Sequence, residues 1–112
     1  MKKILTLLIM LCSFSVFAEP VWIDVRTAEE FSTGHVEGAI NIPFDVIAND
    51  IGAITQDKNA EINLYCRSGG RAGKALRTLE GLGYTQVTNE GGYNDVLVKM
   101  KNSDTKSESN NQ

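Results

Sequence analysis

Short runs of apolar residues recur along the chain and predict four strands. The run at residues 21–25 is rich in β-branched side chains and stops at a polar break, as buried strands of parallel sheets do. The other three runs are residues 39–42, which Pro43 ends, 62–65 and 86–88. A cysteine, Cys66, directly follows the third run and therefore lies at the carboxyl end of a predicted strand.

Apolar residues at helical spacing lie between and after these runs. Thr27 and Glu30 form the Thr-x-x-Glu pattern of a capping box, which predicts a short helix that ends at Gly34. Residues 44–54 and 71–82 have apolar side chains three and four apart and predict two longer helices, and residues 93–100 predict a last one. Because strands alternate with helices, the sequence predicts an α/β domain with a mainly parallel central sheet.

Both ends of the chain are predicted to lie outside this domain, which spans residues 19–101. Two lysines precede an apolar stretch that ends at Ala18, and this pattern is typical of a secretory signal peptide over residues 1–18. We expect cleavage after Ala18 and a periplasmic protein. Lipid attachment at Cys12 is disfavoured because Leu11 lies where such sites have a small residue. Residues 102–112 are all polar and predict a disordered tail.

The charge balance disfavours two classes of partner. Removing 18 of the 112 residues leaves 94, enough for one compact domain. Nine basic residues then face 14 acidic ones, a net charge of −5. We therefore expect neither nucleic acid nor, after signal cleavage, a membrane as partner. An anionic substrate would depend on local positive potential.

The cysteine count points to a thiol that is either buried or chemically active. Cys12 leaves with the signal peptide, so Cys66 has no partner for an internal disulfide. An unpaired thiol in an oxidising compartment is exposed to mixed disulfides and over-oxidation unless it is protected or used. The count alone does not choose between these two roles.

The sequence around Cys66 favours chemistry. Cys-Arg-Ser-Gly-Gly-Arg, from Cys66 to Arg71, joins a predicted strand to a predicted helix, and its glycines allow successive N–H groups to point inward as an anion cradle. The helix start, Arg67 and Arg71 add positive potential, which favours a Cys66 thiolate over the thiol. A thiolate is a nucleophile, whereas the alternative interpretation is an inert cysteine in a glycine-rich turn.

Four segments together resemble the rhodanese family, of which the single-domain exported type is the most similar. They are Asp-Val-Arg at residues 24–26, the stretch at 34–43, the loop from Cys66 to Arg71, and residues 91–95. The resemblance covers residues 21–100 and implies a three-layer domain with helices on both faces of the sheet. One departure is Val96, at a position where relatives often have tryptophan, and we expect it to affect packing more than chemistry.

The resemblance also implies an activity, that of a thiosulfate sulfurtransferase. In that family a cysteine thiolate, here Cys66, takes the outer sulfur of thiosulfate as a persulfide, releases sulfite and passes the sulfur to cyanide or a thiol. A protein could also be the acceptor. Neither a cofactor nor a metal is implied.

Roles for the surrounding residues follow from the same resemblance. The backbone of the loop would hold the terminal sulfur, and Arg67 or Arg71 would steer the thiosulfate oxygens; the substrate-binding set is Arg67, Ser68, Gly69, Gly70 and Arg71. Asp24 and Arg26 lie at a predicted strand end near the site and are predicted to support it rather than to act in catalysis, although a carboxylate and a guanidinium two residues apart also form ordinary salt bridges with neighbours such as Glu30. His35, the only histidine, is predicted to be structural.

Two competing functions use the same cysteine. Dual-specificity phosphatases share this fold but have five residues between cysteine and arginine, where this chain has four, and no Asp or Glu in the loop could serve as general acid. The other alternative is a persulfide carrier or protein-binding module with little turnover of its own. The intact cysteine and full loop favour the enzyme.

Overall fold

The computed structural model describes residues 19–109, and the predicted signal peptide lies outside this part of the chain. Strands and helices alternate as the sequence predicted. The elements are β1 (Val21–Asp24), α1 (Ala28–Ser32), β2 (Ile40–Asn41), α2 (Ile47–Ile54), β3 (Glu61–Cys66), α3 (Gly70–Gly81), β4 (Gln86–Gly92) and α4 (Tyr93–Ser109). The capping box is present at α1, where Thr27 Oγ1 accepts from the Glu30 N–H and a Glu30 carboxylate oxygen accepts from the Thr27 N–H.

The four strands form one parallel sheet in the order β2-β1-β3-β4. β1 is paired with β2 on one side and with β3 on the other. The crossover from β1 to β2 therefore runs in one direction along the sheet, and the crossover from β2 to β3 runs in the opposite direction. In parallel sheets, ligands bind beyond the carboxyl ends of the strands near such a reversal. β3 ends at Cys66, which therefore lies at this edge.

Two hydrophobic clusters cover the two faces of the sheet and confirm the predicted three-layer arrangement. Successive residues of a strand point to opposite faces, so the neighbours Leu64 and Tyr65 belong to different clusters. The larger cluster joins β1 and β3 to α2 and α3, and it includes Cys66. The smaller cluster packs Tyr65 and Val36 against Val96 of α4, so the valine at the position expected for tryptophan is a buried packing residue.

β4 is longer than the sequence predicted. The prediction ended this strand at Thr88 and placed Gly91 and Gly92 in a turn, whereas the structure continues β4 to Gly92. Gly92 lies beside Cys66 in the sheet. A Cβ at Gly92 would overlap the carbonyl oxygen of Arg67. The absence of a side chain at Gly92 therefore allows the backbone at the end of β4 to approach the backbone of Arg67 closely.

The prediction of a disordered tail from Asn102 is wrong for the residues that the structure describes. α4 continues to Ser109, although the side chains at 101–106 are all exposed. Extending a helix that is already nucleated gains one backbone hydrogen bond per residue without the cost of a new first turn. Ser103 Oγ and Thr105 Oγ1 also donate to the carbonyls of Lys99 and Lys101. In the described part of the chain, no helix is long and apolar enough to cross a membrane.

Candidate active site

Cys66 lies buried at the junction of β3 and α3, with only 1% of its surface exposed. Its Sγ accepts a hydrogen bond from the Gly69 N–H at 2.9 Å and one from the Ala72 N–H at 3.5 Å. Gly69 adopts a left-handed conformation with φ of 99°, which a residue with a side chain rarely adopts. The loop therefore curls around the sulfur as the glycine-rich sequence predicted.

Two opposing effects set the pKa of the Cys66 thiol. Burial raises the pKa, because it disfavours the charged thiolate. The backbone N–H groups of Ala72, Ser68, Gly69 and Arg71 point toward the sulfur and lower the pKa, because they stabilise the thiolate. The amides outweigh burial, so the pKa of the thiol lies below its ordinary value. This supports the thiolate that the sequence predicted.

Arg71 is held in place by Glu30. Its Nη1 and Nη2 atoms donate to the two carboxylate oxygens at 2.7 and 3.0 Å, a bidentate pair with about a quarter of each side chain exposed. Hydrogen bonds from Arg71, together with those from Thr27, lower the pKa of Glu30 to about 2 although burial acts the other way. Glu30 thus connects the capping box of α1 to the first turn of α3.

Arg67 differs from Arg71 in its surroundings. Its side chain is exposed, and among residues 19–109 it forms no hydrogen bond or ion pair. Ser68 and Gly70 are exposed as well. The outer rim of the loop is therefore open to small solutes, whereas Cys66 lies below it.

Asp24 and Arg26 form a buried ion pair beside the site rather than pairing with Glu30. The Nη2 and Nε atoms of Arg26 donate to Asp24 Oδ2 at 2.6 and 2.9 Å, and Nη2 also donates to the Gly34 carbonyl at 2.7 Å. The guanidinium lies 4.8 Å from the ring centre of Tyr93, at the start of α4. The pair therefore holds β1, the turn after α1 and α4 together next to β3.

His35 is bonded within its own segment. Its ring stacks on Phe31 with centres 3.6 Å apart, and Nδ1 donates to the Phe31 carbonyl at 2.9 Å. These contacts fit the structural role that the sequence predicted. Within residues 19–109, no three His, Cys, Asp or Glu side chains are grouped so that they could hold a metal ion.

The sequence did not point to Asn89, which contacts the loop from β4. Asn89 Nδ2 donates to the Gly69 carbonyl at 2.9 Å, and its Oδ1 accepts from the Gly91 N–H at 2.9 Å. Gly92 N–H donates to Asp95 Oδ2 at 3.0 Å in the same region. An asparagine near two glycines is a common turn signal, so only the paired strands reveal this contact across 20 residues.

The pH dependence of the rate at which iodoacetamide alkylates Cys66 should give a thiol pKa below that of an unfolded cysteine. The reason is that the convergent N–H groups stabilise the thiolate more than burial disfavours it. The rate is measured against pH in a Cys12→Ser variant, in which Cys66 is the only thiol. The same titration in concentrated urea is the control. A folded pKa equal to or above the unfolded one would contradict the expected direction.

Comparison with known proteins agrees with the site. The rhodanese-like domain family matches residues 16–99. The thiosulfate sulfurtransferase PspE of Escherichia coli K12 is 42% identical over 97 residues, which cover 87% of this chain and 93% of that protein. A solved rhodanese with anions from E. coli has a TM-score of 0.67 at 42% identity, covering 69% of this chain and 91% of that one. The human single-domain sulfurtransferase TSTD1 has a TM-score of 0.60 at 26% identity, covering 71% and 82%. The chain belongs to the rhodanese family.

Proposed function

We propose that this chain, a sulfurtransferase of the rhodanese family, moves the outer sulfur of thiosulfate to a thiol or cyanide acceptor through a persulfide on Cys66. The observation that carries the proposal is the set of backbone N–H groups around Cys66 Sγ, which favours an anionic sulfur at the end of β3. The printed activity of the E. coli relative supports thiosulfate as donor.

The first half-reaction loads the enzyme. The Cys66 thiolate attacks the outer sulfur of thiosulfate and forms an S–S bond with it. The bond between the two thiosulfate sulfurs breaks, and sulfite leaves with the electron pair. The protein is left with a Cys66 persulfide whose terminal sulfur carries the negative charge, so no proton or external oxidant is needed.

The second half-reaction unloads it. A thiolate or cyanide attacks the terminal sulfur of the persulfide, and the S–S bond to Cys66 breaks. The electron pair returns to Cys66 as a thiolate, and the acceptor leaves as a persulfide or as thiocyanate. The amides that stabilise the thiolate therefore stabilise the nucleophile of the first half-reaction and the leaving group of the second.

The two arginines divide the work of binding an anion. Arg67 is exposed at the rim of the loop, where its charge can attract thiosulfate to a protein that is acidic overall. Arg71 is engaged with Glu30 through both carboxylate oxygens, and it sits in the first turn of α3. We therefore assign attraction of the substrate to Arg67 and positioning of the loop to Arg71.

Export to the periplasm is part of the proposal and rests on residues 1–18, which lie outside the described part of the chain. Their basic start, apolar stretch and small residues before Glu19 favour cleavage after Ala18. Mass measurement of the protein from the periplasmic fraction should give a chain that begins at Glu19. A retained leader, or a lipid on Cys12, would overturn this assignment.

Replacing Cys66 with serine should abolish sulfur transfer from thiosulfate to cyanide while leaving the fold intact. Serine is close to cysteine in size, but its hydroxyl cannot form a persulfide. Thiocyanate formation is the readout for activity, and circular dichroism with thermal unfolding reports on the fold. Activity retained by folded Cys66→Ser protein would refute the proposed chemistry.

Arg67→Ala and Arg71→Ala should change different kinetic constants. Loss of Arg67 should raise KM several-fold with little change in kcat, and the effect should shrink in high salt because an exposed charge is screened. Loss of Arg71 should lower kcat, roughly tenfold, because the cradle loosens. Both constants are measured at low and high ionic strength.

Two further variants sharpen this comparison. Glu30→Gln should resemble Arg71→Ala, since glutamine can still complete the capping box but no longer pairs with a charge. Arg77→Ala, an exposed arginine farther along α3, is the matched control and should change neither constant. If Arg71→Ala changed KM alone while Arg67→Ala lowered kcat, the two roles would have to be exchanged.

A further inference from the structure

One side chain outside the loop, Asn89, bonds to the backbone that forms the cradle. Its Nδ2 atom donates to the Gly69 carbonyl at 2.9 Å, and its Oδ1 atom accepts from the Gly91 N–H at the same distance. The asparagine therefore links the middle of the Cys66 loop to the end of β4. Neither of the two proposed half-reactions of sulfur transfer involves this side chain.

The pairing of β3 with β4 is irregular where Asn89 lies. Leu64 is opposite Asn89 and Cys66 is opposite Gly92, so β4 has one more residue than β3 in this interval. Gly91, within the interval, has a φ of 89°. Such bulges next to active sites re-aim side chains. Here the bulge accompanies an asparagine whose side chain reaches back to its own strand and across to the loop.

The hydrogen bond from Asn89 to the Gly69 carbonyl also affects the direction of the next N–H group, that of Gly70. Gly69 O accepts from both Asn89 Nδ2 and the Gly73 N–H, each at 2.9 Å. In a trans peptide the carbonyl and the following N–H point in opposite directions. Fixing the Gly69 carbonyl toward β4 and α3 therefore turns the Gly70 N–H away from them, out of the amino-terminal end of α3. Gly70 begins that helix, where N–H groups have no partner within the helix.

The persulfide creates a need for such a donor. The N–H groups of Gly69 and Ala72 already bond Cys66 Sγ. A persulfide places its charged terminal sulfur one S–S bond, about 2.05 Å, beyond Sγ. Stabilising that atom calls for an N–H group that is not already directed at Sγ, and the Gly70 N–H, between the donors of Gly69 and Arg71, is one.

We propose that Asn89 is a positioning residue that orients the peptide between Gly69 and Gly70 so that the Gly70 N–H donates to the terminal sulfur of the Cys66 persulfide. This inference rests on the proposed persulfide chemistry and goes beyond it by assigning separate donors to the two charged states of Cys66. Loss of Asn89 therefore weakens the persulfide but leaves the thiolate nearly unchanged.

The test compares Asn89→Ala and Asn89→Asp with the unmodified protein. Alanine removes both hydrogen bonds, whereas aspartate keeps an acceptor for the Gly91 N–H and lacks the donor to Gly69. Asn59→Ala is the matched control, because Asn59 is an exposed asparagine that bonds Thr85 just before β4. Work at high ionic strength screens the charge that aspartate adds.

The main readout is the equilibrium of the loading step, measured as the ratio of persulfide to thiol at fixed thiosulfate and sulfite. Both Asn89 variants should shift this ratio about tenfold toward the thiol, since one charge-assisted hydrogen bond is lost, and Asn59→Ala should not. The pKa of the Cys66 thiol, from alkylation rates, should be the same in Asn89→Ala and the unmodified protein. Circular dichroism confirms that each variant is folded.

The possible outcomes separate this inference from the proposed function. If the unmodified protein acquires no persulfide, both fail. If it loads normally and both Asn89 variants load equally well, or if Asn89→Asp behaves like the unmodified protein, only the assignment of Asn89 is overturned. A thiol pKa that moves together with the loading ratio in Asn89→Ala would show that Asn89 shapes the whole loop, and this too would overturn the assignment.

Discussion

The site depends on one balance, that between the burial of Cys66 and the backbone N–H groups that surround its sulfur. A buried sulfur anion is costly unless hydrogen bonds compensate for the lost water. The compensation here comes from the main-chain N–H groups of Ser68, Gly69, Arg71 and Ala72. Main-chain donors are positioned by the fold itself. The direction of these N–H groups therefore depends on the end of β3, on the left-handed turn at Gly69 and on the start of α3.

Two ion pairs support this arrangement in different ways. The pair of Asp24 and Arg26 is buried, and Arg26 also donates to the Gly34 carbonyl. The pair therefore fixes how α1, α4 and the sheet meet. A buried ion pair is weak evidence for net stability, so we assign it this role in specifying the arrangement. The pair of Glu30 and Arg71 is partly exposed, and its net stabilisation is small. Its value lies in orienting the first turn of α3. Since the pKa of Glu30 is lowered to about 2, its contribution is present above the ordinary range of a glutamate, near pH 4, and is lost as the pH falls toward 2.

Local sequence patterns were enough to predict most of the fold and the centre of the site. Strand periodicity, the capping box of Thr27 and Glu30, and the Cys66 to Arg71 spacing each depend on residues close together in sequence, and the elements they predicted are present. The features that the sequence did not predict depend on contacts between distant residues or on structure formed earlier in the same helix. The 41-residue separation of Arg71 from Glu30 and the contact of Asn89 with Gly69 arise from strand order and a bulge, which no local pattern encodes. The extension of α4 past Asn102 depends on a helix nucleated upstream rather than on the composition of the tail.

The central claim is that Cys66 itself carries the sulfur, and its most direct test is a single loading reaction without acceptor. The Cys12→Ser protein is treated with thiosulfate, released sulfite is quantified, and the peptide containing Cys66 is analysed by mass spectrometry under non-reducing conditions. The account predicts one added sulfur atom on Cys66 for each sulfite released, and its loss when cyanide is added. Sulfite release with no added sulfur on Cys66, or no release at all from folded protein, would contradict it.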